Sequence, residues 1–314
     1  MKIAILDDWG DTLRELPCFD LLADHDVTVL TGHHPDPADL AARIAEAEAV
    51  ILFRERTAIG TELLDRLPNL RVIALAGATG HIDLDACAAR GIRVEAVKAG
   101  ATPPDAAAEH ALALILAWAK RLPRQLASLR AGHWQSGVGR TLRGLRLGLW
   151  GHGRIGRAVA GYAEALGLDV VWWGSDAARA RVVAEGGKVA PSRAAFFAEA
   201  DIVSLHVRLV AETRGMVTVE DLARMKPSAC LVNTSRAGLI APGALEAALA
   251  AGRPGHAALD VFETEPLTDP AHPLLTNPNV IATPHIGFVT QEELERQFRA
   301  VFARVAEASG PQRG

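Results

Sequence analysis

Short apolar runs alternate with alanine- and leucine-rich helical stretches along most of the chain. Near-continuous apolar runs are typical of parallel strands covered on both faces, and their alternation with helices predicts an α/β fold. The first hundred residues predict strands at Lys2–Leu6, Val27–Leu30, Ala49–Phe53, Val72–Leu75 and Ile92–Glu95. The later residues predict strands at Leu145–Trp150, Asp169–Trp173, Ile202–His206, Ala229–Asn233, His256–Leu259 and Val280–Ala282. This second set, with its crossover helices, predicts a complete dinucleotide-binding sheet.

Helix boundaries are predicted mainly from glycine and proline. The predicted helices are Ala38–Glu46, Thr61–Leu67, Asp105–Leu122, Arg154–Leu166, Ala177–Glu185, Val219–Met225, Ala244–Ala250 and a polar final helix, Gln291–Ala308. Pro123 is expected to end the long helix that begins at Asp105. The stretch Ala99–Pro104 is a predicted crossing point between domains, and Glu263–Pro278 is predicted to be a long irregular loop.

Composition narrows the class of protein. The 314 residues suffice for two domains of about 150 residues. A formal net charge of −4 gives no general attraction to nucleic acid, and the longest apolar stretch, Ala111–Ala119, is too short to span a membrane. Three widely spaced cysteines are typical of a cytoplasmic protein without disulfides, and Asp7 and Asp8 interrupt the first apolar run too early for a signal peptide. The eleven histidines show no ligand spacing, so no metal site is predicted.

A glycine-rich loop lies between a predicted strand and a predicted helix. Gly151, Gly153 and Gly156 form the pattern G-x-G-x-x-G. Such glycines allow a tight turn and a close backbone approach, and the N-terminus of the following helix attracts a pyrophosphate. An ordinary strand-to-helix turn is the alternative, but the flanking elements favour a dinucleotide site that includes Arg154 and Ile155.

The choice between NAD and NADP depends on the end of the next strand. An acidic residue that binds the ribose hydroxyls of NAD is expected near Gly174, where none exists. Asp176 comes two residues later, after Ser175, and two arginines, Arg179 and Arg181, follow it. An arginine can pair with a 2′-phosphate, although both arginines could equally lie on a solvated helix face. The sequence therefore favours NADP and leaves NAD open.

Ionisable residues follow three later strands, at Arg236, Glu265 and His285. Ligands of open α/β sheets bind at the carboxyl ends of the strands, so these side chains can converge on one ligand. The guanidinium fork of Arg236 suits a carboxylate, and His285 can exchange a proton with an alcohol. Glu265, if it lies beside His285, would orient the imidazole. Each residue alone is compatible with a surface or loop position, but their joint order favours a catalytic site.

The chain resembles the D-isomer-specific 2-hydroxyacid dehydrogenase family over nearly its full length. The resemblance is most specific in the loop Gly151–Gly156 and in the segments Asn233–Arg236, Asp260–Pro266 and Pro284–Gly287, and it extends to Ala76–Asp83 and Ala89–Ile92. It implies reduction of a 2-oxo acid to a D-2-hydroxy acid, or the reverse, with NAD(P)H. Arg236 would anchor the substrate carboxylate, His285 would be the acid/base, and Glu265 would be its partner.

The resemblance also implies an architecture of two doubly wound parallel-sheet domains, with a Rossmann cofactor domain inserted in a flavodoxin-like substrate domain. The expected boundaries are 1–98 plus 285–314 for the substrate domain and 99–284 for the cofactor domain. The catalytic cleft would lie between them, and the family usually forms homodimers through the cofactor domains. The expected cofactor-binding residues are Gly151, Gly153, Arg154, Ile155, Gly156, Ser175, Thr234, Ser235, Asp260 and His285. The expected substrate-binding residues are Arg54, Gly77, Ala78, Arg236 and His285.

The sequence departs from the family pattern at some positions. Phe288 stands where a small residue is common, and Ala76–Thr79 lacks the commoner Gly-x-Gly. Arg54 and Arg56 match basic positions that some relatives use on the substrate, although a solvated pair is an equal alternative. Two other functions stay open: an enzyme for a one-carbon or inorganic donor, against which Glu265 argues, and a cofactor-sensing corepressor-like protein without significant turnover.

Overall fold

The computed structural model describes residues 1–97 and 105–308. The chain divides into two compact units, one comprising Met1–Thr102 with Val289–Gly314 and the other Pro103–Phe288. The predicted crossing stretch Ala99–Pro104 and the predicted boundary after residue 98 lie outside the described residues. At the second crossing, the structure divides the units after Phe288, whereas the sequence placed the boundary before His285.

The first unit contains one parallel sheet. Its strands are β1 (Lys2–Leu6), β2 (Asp26–Val29), β3 (Ala49–Leu52), β4 (Val72–Ala76) and β5 (Arg93–Val97). Their spatial order is β2-β1-β3-β4-β5, which is the flavodoxin-like order. The predicted strands are confirmed to within two residues at each end. The three central strands β1, β3 and β4 are apolar runs buried along most of their length, whereas the edge strands β2 and β5 are partly exposed.

The second unit contains the other parallel sheet. Its strands are β6 (Arg146–Trp150), β7 (Asp169–Trp173), β8 (Ile202–Leu205), β9 (Cys230–Asn233), β10 (His256–Leu259) and β11 (Val280–Ala282). Their order is β11-β10-β9-β8-β6-β7, and Val189 adds a single parallel bridge to Trp172 on β7. With Val189 in the third place, the chain follows the dinucleotide-binding order 3-2-1-4-5-6, and β11 extends it. The predicted fold class is confirmed, although the sequence analysis missed Val189.

Twelve α-helices lie within the described residues. They are α1 (Pro37–Arg43), α2 (Thr61–Leu64), α3 (Leu84–Ala89), α4 (Asp105–Ala119), α5 (Leu122–Arg130), α6 (Arg154–Ala165), α7 (Asp176–Ala184), α8 (Arg193–Glu199), α9 (Val219–Arg224), α10 (Ala244–Ala250), α11 (Pro273–Thr276) and α12 (Gln291–Ala308). Short 3₁₀ helices span Thr12–Glu15, Pro17–Leu22, Ala211–Thr213 and Ala237–Leu239. Within the described ranges, no helix is both long enough and apolar enough to cross a membrane.

The predicted helix Asp105–Leu122 is wrong at its end. Helix α4 stops at Ala119, and Arg121 then adopts a left-handed conformation with φ 55°. Pro123 lies in the first turn of α5, where its missing N–H costs no hydrogen bond, so it starts a helix and does not end one. The sequence analysis also missed α3 and α8, and the predicted loop Glu263–Pro278 contains the short helix α11.

The final helix α12 has the predicted bounds but is not polar on all sides. The side chains of Leu294, Phe298, Val301, Phe302 and Val305 are buried on one face. This face packs against β4, β5 and the 3₁₀ helix Pro17–Leu22 of the first unit. Helix α12 therefore completes the core of the first unit, although it lies at the other end of the sequence.

Candidate active site

The glycine loop joins β6 to α6 with a distinct reason for each glycine. Gly151 has φ 114°, and a Cβ there would collide with the carbonyl of His206. A Cβ on Gly156 would collide with the carbonyl of Gly151. At Gly153, by contrast, a Cβ would meet no atom within 4 Å. Gly151 and Gly156 are therefore required for the loop to close, whereas Gly153 leaves open space at the start of the helix.

The open space adjoins the first turn of α6. Gly153 is the residue before the helix and caps it without a side-chain hydrogen bond. Arg154 and Ile155 occupy the first turn and are exposed. Because the first N–H groups of a helix lack partners within it, this end suits a phosphate. The residues present thus fit the pyrophosphate of a dinucleotide.

The carboxyl end of β7 carries the residues considered for ribose recognition. The hydroxyl of Ser175 accepts a hydrogen bond from the N–H of Ala178 and caps α7. Arg179 forms an ion pair with the exposed Asp176, and its guanidinium lies 4.3 Å from the centre of the Trp173 ring. The Trp173 ring thus holds Arg179 close to the strand end. Because Asp176 and Arg179 pair with each other, the carboxyl end of β7 carries both a carboxylate and a guanidinium.

His285 and Glu265 lie in direct contact. His285 Nδ1 is 2.6 Å from Glu265 Oε2, and since a carboxylate can only accept, Nδ1 donates. Burial acts to raise the pKa of Glu265, but hydrogen bonds from His285 and the N–H of Phe262, with the charge of Arg236, hold it below its ordinary value. Glu265 is therefore an anion at neutral pH. The pair expected from the sequence is thus formed, with the Phe288 ring packed edge-on against His285 at 5.7 Å.

Asp260 holds the backbone on either side of His285. Its buried carboxylate accepts hydrogen bonds from the hydroxyl of Thr283 at 2.6 Å and from the N–H groups of Ile286 and Gly287 at 2.9 and 2.8 Å. His285 itself has φ 55°, a backbone conformation that residues other than glycine seldom adopt. These contacts make Asp260 a positioning residue, and its expected contact with the cofactor stays a prediction.

His110 on α4 extends this network. Its Nε2 lies 3.0 Å from the hydroxyl of Thr283 and 3.2 Å from Asp260 Oδ1. Burial acts to raise the pKa of Asp260, but the bonds from His110, Thr283 and the two backbone amides hold it below its ordinary value. The sequence analysis missed His110 and Thr283. A polar residue beside an apolar helical run, as at His110, is the signal that could have found the first.

Arg236 follows β9 in a turn that Asn233 holds. The side-chain amide of the buried Asn233 donates to the carbonyl of Arg236 at 3.0 Å, and its oxygen accepts from the N–H of Ser235 at 3.1 Å. Ser235 donates its hydroxyl to the carbonyl of Val207, while Thr234 is half-buried. The guanidinium of Arg236 is exposed and donates to the carbonyl of Ser235. The positive charge of Arg236 also contributes to holding the pKa of Glu265 below its ordinary value, and the expected contact of Arg236 with the substrate stays a prediction.

The other predicted substrate residues belong to the first unit. Arg54 follows β3 and has a left-handed backbone with φ 67°. Gly77 and Ala78 follow β4 and are exposed, and Gly77 has φ 135°. The N–H of Ala78 donates to the carboxylate of Glu55 at 3.4 Å. Glu55, which the sequence analysis did not single out, lies on the loop after β3 and contacts the loop that is expected to bind a substrate carboxylate.

Comparisons with known proteins agree with this geometry. Residues 112–287 match the family model described as D-isomer specific 2-hydroxyacid dehydrogenase, NAD binding domain. A D-3-phosphoglycerate dehydrogenase of Mycobacterium leprae is 39% identical over 265 residues, which cover 83% of this chain and 49% of the relative. The chain thus spans about half the length of the curated relatives of this kind that it matches.

Two further relatives are covered almost from end to end. A hydroxypyruvate reductase of Thermotoga maritima is 34% identical over 280 residues, or 88% of this chain and 89% of the relative. The crystal structure of a phosphoglycerate oxidoreductase from Vibrio cholerae o395 superposes with a TM-score of 0.91 at 43% identity. That alignment covers 98% of this chain and 99% of the other.

Proposed function

Because the chain belongs to the D-isomer specific 2-hydroxyacid dehydrogenase family, we propose that it reduces a 2-oxo acid to a D-2-hydroxy acid, or catalyses the reverse reaction. The observation that carries the proposal is the 2.6 Å hydrogen bond between His285 Nδ1 and Glu265 Oε2. With Nδ1 engaged, Nε2 is the nitrogen that exchanges a proton with the substrate oxygen. Glu265 orients the ring and stabilises its protonated form.

The second unit supplies the cofactor site. The loop Gly151–Gly156 and the first turn of α6 would hold the pyrophosphate of NAD(P), as the space at Gly153 allows. When bound, the nicotinamide supplies the hydride that reduces the carbonyl carbon, or accepts it in the reverse direction. Thr234 and Ser235 would contribute further contacts at the end of β9. Asp260 holds the His285 backbone in place for the proton transfer.

Arg236 has two tasks in this proposal. Its guanidinium binds the substrate carboxylate and stabilises the negative charge that develops on the carbonyl oxygen, a preorganised contribution that is often the largest in catalysis. From the first unit, Arg54 and the backbone of Gly77 and Ala78 provide the other proposed substrate contacts. Gly77 and Ala78 are exposed, and Gly77 has a positive φ, a backbone conformation that favours glycine.

A preference for NADP is part of the proposal. Arg179 is held against Trp173 at the end of β7, beside the hydroxyl of Ser175, where a 2′-phosphate would find a cation and a hydrogen-bond donor. Asp176 opposes this preference, because its carboxylate can bind the ribose hydroxyls of NAD and would repel a phosphate. We expect kcat/KM to be higher with NADPH than with NADH.

The assembly and the location are proposed on separate grounds. Helix α5 contains no buried residue, and Leu122, Leu126 and Leu129 form an exposed apolar stripe on one of its faces. A second copy of the chain that covered this stripe would give a homodimer through the second unit. All three cysteines are free and buried, as is usual for proteins of the reducing cytoplasm, which is the proposed location.

The test of the function is reduced-nicotinamide oxidation with glyoxylate, hydroxypyruvate, pyruvate or phenylpyruvate, using the wild-type protein and His285→Asn. Asparagine tolerates the left-handed backbone of His285 but cannot carry a proton between donor and acceptor. We expect kcat to fall by about 10²–10⁴-fold in the variant while the variant still binds the cofactor.

His133→Asn serves as the matched control, because His133 is exposed and lies in a loop after α5. A His285→Asn variant that kept most of its activity would remove the proposed acid/base role. Tight cofactor binding by a wild-type protein that turned over none of the substrates would favour a cofactor-sensing protein of the corepressor type.

A further inference from the structure

The side chain of Glu55 accepts a hydrogen bond from a backbone N–H of the loop that is proposed to bind the substrate. The residue follows β3, and its side chain is exposed. Its Oε1 accepts a hydrogen bond from the N–H of Ala78, with 3.4 Å between the two atoms. The same oxygen lies 3.4 Å from the position that a Cβ on Gly77 would take. A negative charge of the protein itself therefore lies against the Gly77–Ala78 backbone.

The residues beside Glu55 hold its loop in place. The guanidinium of Arg56 lies 4.4 Å from the centre of the Trp9 ring and 4.5 Å from that of Phe53, and it donates to the carbonyl of Asp7 at 2.7 Å. Thr57 donates its hydroxyl to the buried carboxylate of Asp7 at 2.6 Å. The chain on the C-terminal side of Glu55 is therefore anchored to the end of β1.

His81 is the titratable group on the neighbouring loop. Both ring nitrogens are shielded from solvent and lack a hydrogen-bond partner among the described residues. Burial lowers the pKa of His81, and the negative charge of Glu55 offsets only part of this effect. The imidazole is therefore neutral at neutral pH and does not neutralise the carboxylate beside it.

We propose that Glu55 is a specificity-determining residue that selects against 2-oxo acids carrying a second anionic group, such as a phosphate ester. The inference rests on the proposed function, in which the Ala78 N–H binds the substrate carboxylate. One N–H cannot serve two carboxylates, so substrate binding displaces the Glu55 carboxylate from the amide. The displaced side chain is still tethered beside the bound substrate.

The repulsion grows with the charge of the substrate. The two ends of a three-carbon 2-oxo acid are about 5 Å apart, given bond lengths near 1.5 Å. A terminal phosphate would therefore lie within the screening length of about 8 Å from a carboxylate at this loop. Every substrate meets one repulsion from Glu55 through its carboxylate, whereas a phosphorylated substrate meets a second one through its phosphate. A substrate whose far end is neutral and can donate a hydrogen bond, such as a hydroxyl, is favoured instead.

The experiment compares hydroxypyruvate with its phosphate ester on the wild-type protein, Glu55→Gln and Glu62→Gln. Kd values are measured by calorimetry with saturating NAD⁺ or NADP⁺, with which no hydride transfer occurs, and KM values are measured with the reduced cofactor. Glutamine keeps the oxygen that accepts from Ala78 and removes only the charge. Because Glu55 is exposed, we expect Glu55→Gln to fold normally. Glu62 is an exposed carboxylate on α2 of the same unit that pairs with Arg66, and it is the control for net charge.

We expect Glu55→Gln to shift the preference towards the phosphate ester by about tenfold in both Kd and KM, with kcat nearly unchanged. The shift should shrink in 0.5 M salt, to which a merely structural effect would be insensitive. An equal change for both substrates, an unchanged ratio, or the same shift in Glu62→Gln overturns the inference. If the wild-type protein turns over neither substrate and none of the other 2-oxo acids named above, the proposed function fails while the Kd values still decide the role of Glu55. If neither substrate binds, both fail.

Discussion

The buried carboxylate of Asp260 determines where the proposed acid/base lies. It accepts two backbone N–H bonds and one hydroxyl bond from the segment Thr283–Gly287. Gly287 makes this approach possible, because a Cβ there would lie 3.0 Å from Asp260 Oδ2. The left-handed backbone of His285 is thus stabilised by a residue that need not touch the substrate. Strained conformations of this kind persist only where the surroundings hold them.

Replacing Asp260 by asparagine tests this role. The amide keeps one acceptor oxygen but turns its NH₂ group towards a backbone donor, so we expect the free energy of unfolding at pH 7 to fall by about 3 kcal/mol. We also expect kcat to fall more than the cofactor affinity, because His285 loses its support. Urea unfolding followed by circular dichroism, together with steady-state kinetics, measures both effects.

The lowered pKa of Asp260 determines how the stability loss in Asp260→Asn depends on pH. A carboxylate whose pKa is lower in the folded than in the unfolded state stabilises the fold above its unfolded value, near 4, and this stabilisation is lost as the pH falls through the folded value. The difference in the free energy of unfolding between wild type and Asp260→Asn should therefore be largest at pH 7 and should shrink below pH 4. Asp24→Asn, at an exposed position, should show no such difference. A difference that stayed constant down to pH 3 would contradict the role of the ionised carboxylate.

The sequence predicted candidate site residues where the chemistry of the residue type is specific. Arg236, Glu265 and His285 each follow a strand of an open sheet, and the contact between His285 and Glu265 is present in the structure. His110 could not be assigned in this way, because its partner Asp260 is distant in sequence and is reached only through the packing of α4. Glu55 was missed because it lies between Arg54 and Arg56, and this pattern indicates a cationic loop.

At the scale of elements, the three glycines at the start of α6 have two different roles. Two of them allow the loop to close, and the third leaves space beside the helix N-terminus. Gly151 and Gly156 are enclosed by backbone carbonyls, whereas Gly153 faces open space. This difference can be tested with single methyl groups, because alanine adds only a Cβ.

We expect Gly153→Ala to raise the Kd for NAD(P)H at least about tenfold without lowering the free energy of unfolding. The extended backbone of Gly153 suits alanine, and only the approaching phosphate would meet the new methyl group. Gly161→Ala is the matched control, since Gly161 lies within α6 and is exposed. It should stabilise the helix by about 0.5–1 kcal/mol and leave the Kd unchanged. Fluorescence titration with NADPH and NADH measures the affinity, and an unchanged Kd in Gly153→Ala would exclude this loop as the phosphate site.

The bounds of an element were predictable where a single hydrophobic pattern extends over its whole length. The central strands of both sheets are apolar runs, and their bounds were predicted closely. The break between α4 and α5 was not predictable, because a proline in the first turn of a helix and a proline after its end look alike in sequence. Val189 contributes a single bridge, which is too short to leave a periodic signal.

At the scale of the whole molecule, the proposed dimer depends on one surface of the second unit. Leu122, Leu126 and Leu129 on α5 are 45%, 51% and 58% exposed, and the nearby Trp134 is 78% exposed. Exposed apolar side chains spaced one helical turn apart are typical of a surface that another protein covers.

We expect Leu126→Glu to convert the protein from a dimer to a monomer of 33.3 kDa, because a charge buried at the centre of a two-fold interface meets its own copy. Size-exclusion chromatography with light scattering over a range of concentrations measures the mass. Val219→Glu introduces the same charge at a 44% exposed position in α9 and should leave the mass unchanged. A wild-type protein that was monomeric throughout would contradict the proposed assembly.

The cysteines described above make the protein a convenient subject for spectroscopic labelling. Burial raises the pKa of all three thiols, that of Cys18 to about 12 with a further contribution from Glu295, so the reactive thiolate is scarce at neutral pH. Maleimide dyes should therefore react slowly with the unmodified chain. A cysteine introduced at the exposed Asp176 would then carry a single fluorophore beside the proposed ribose site and would report the arrival of the nucleotide in real time.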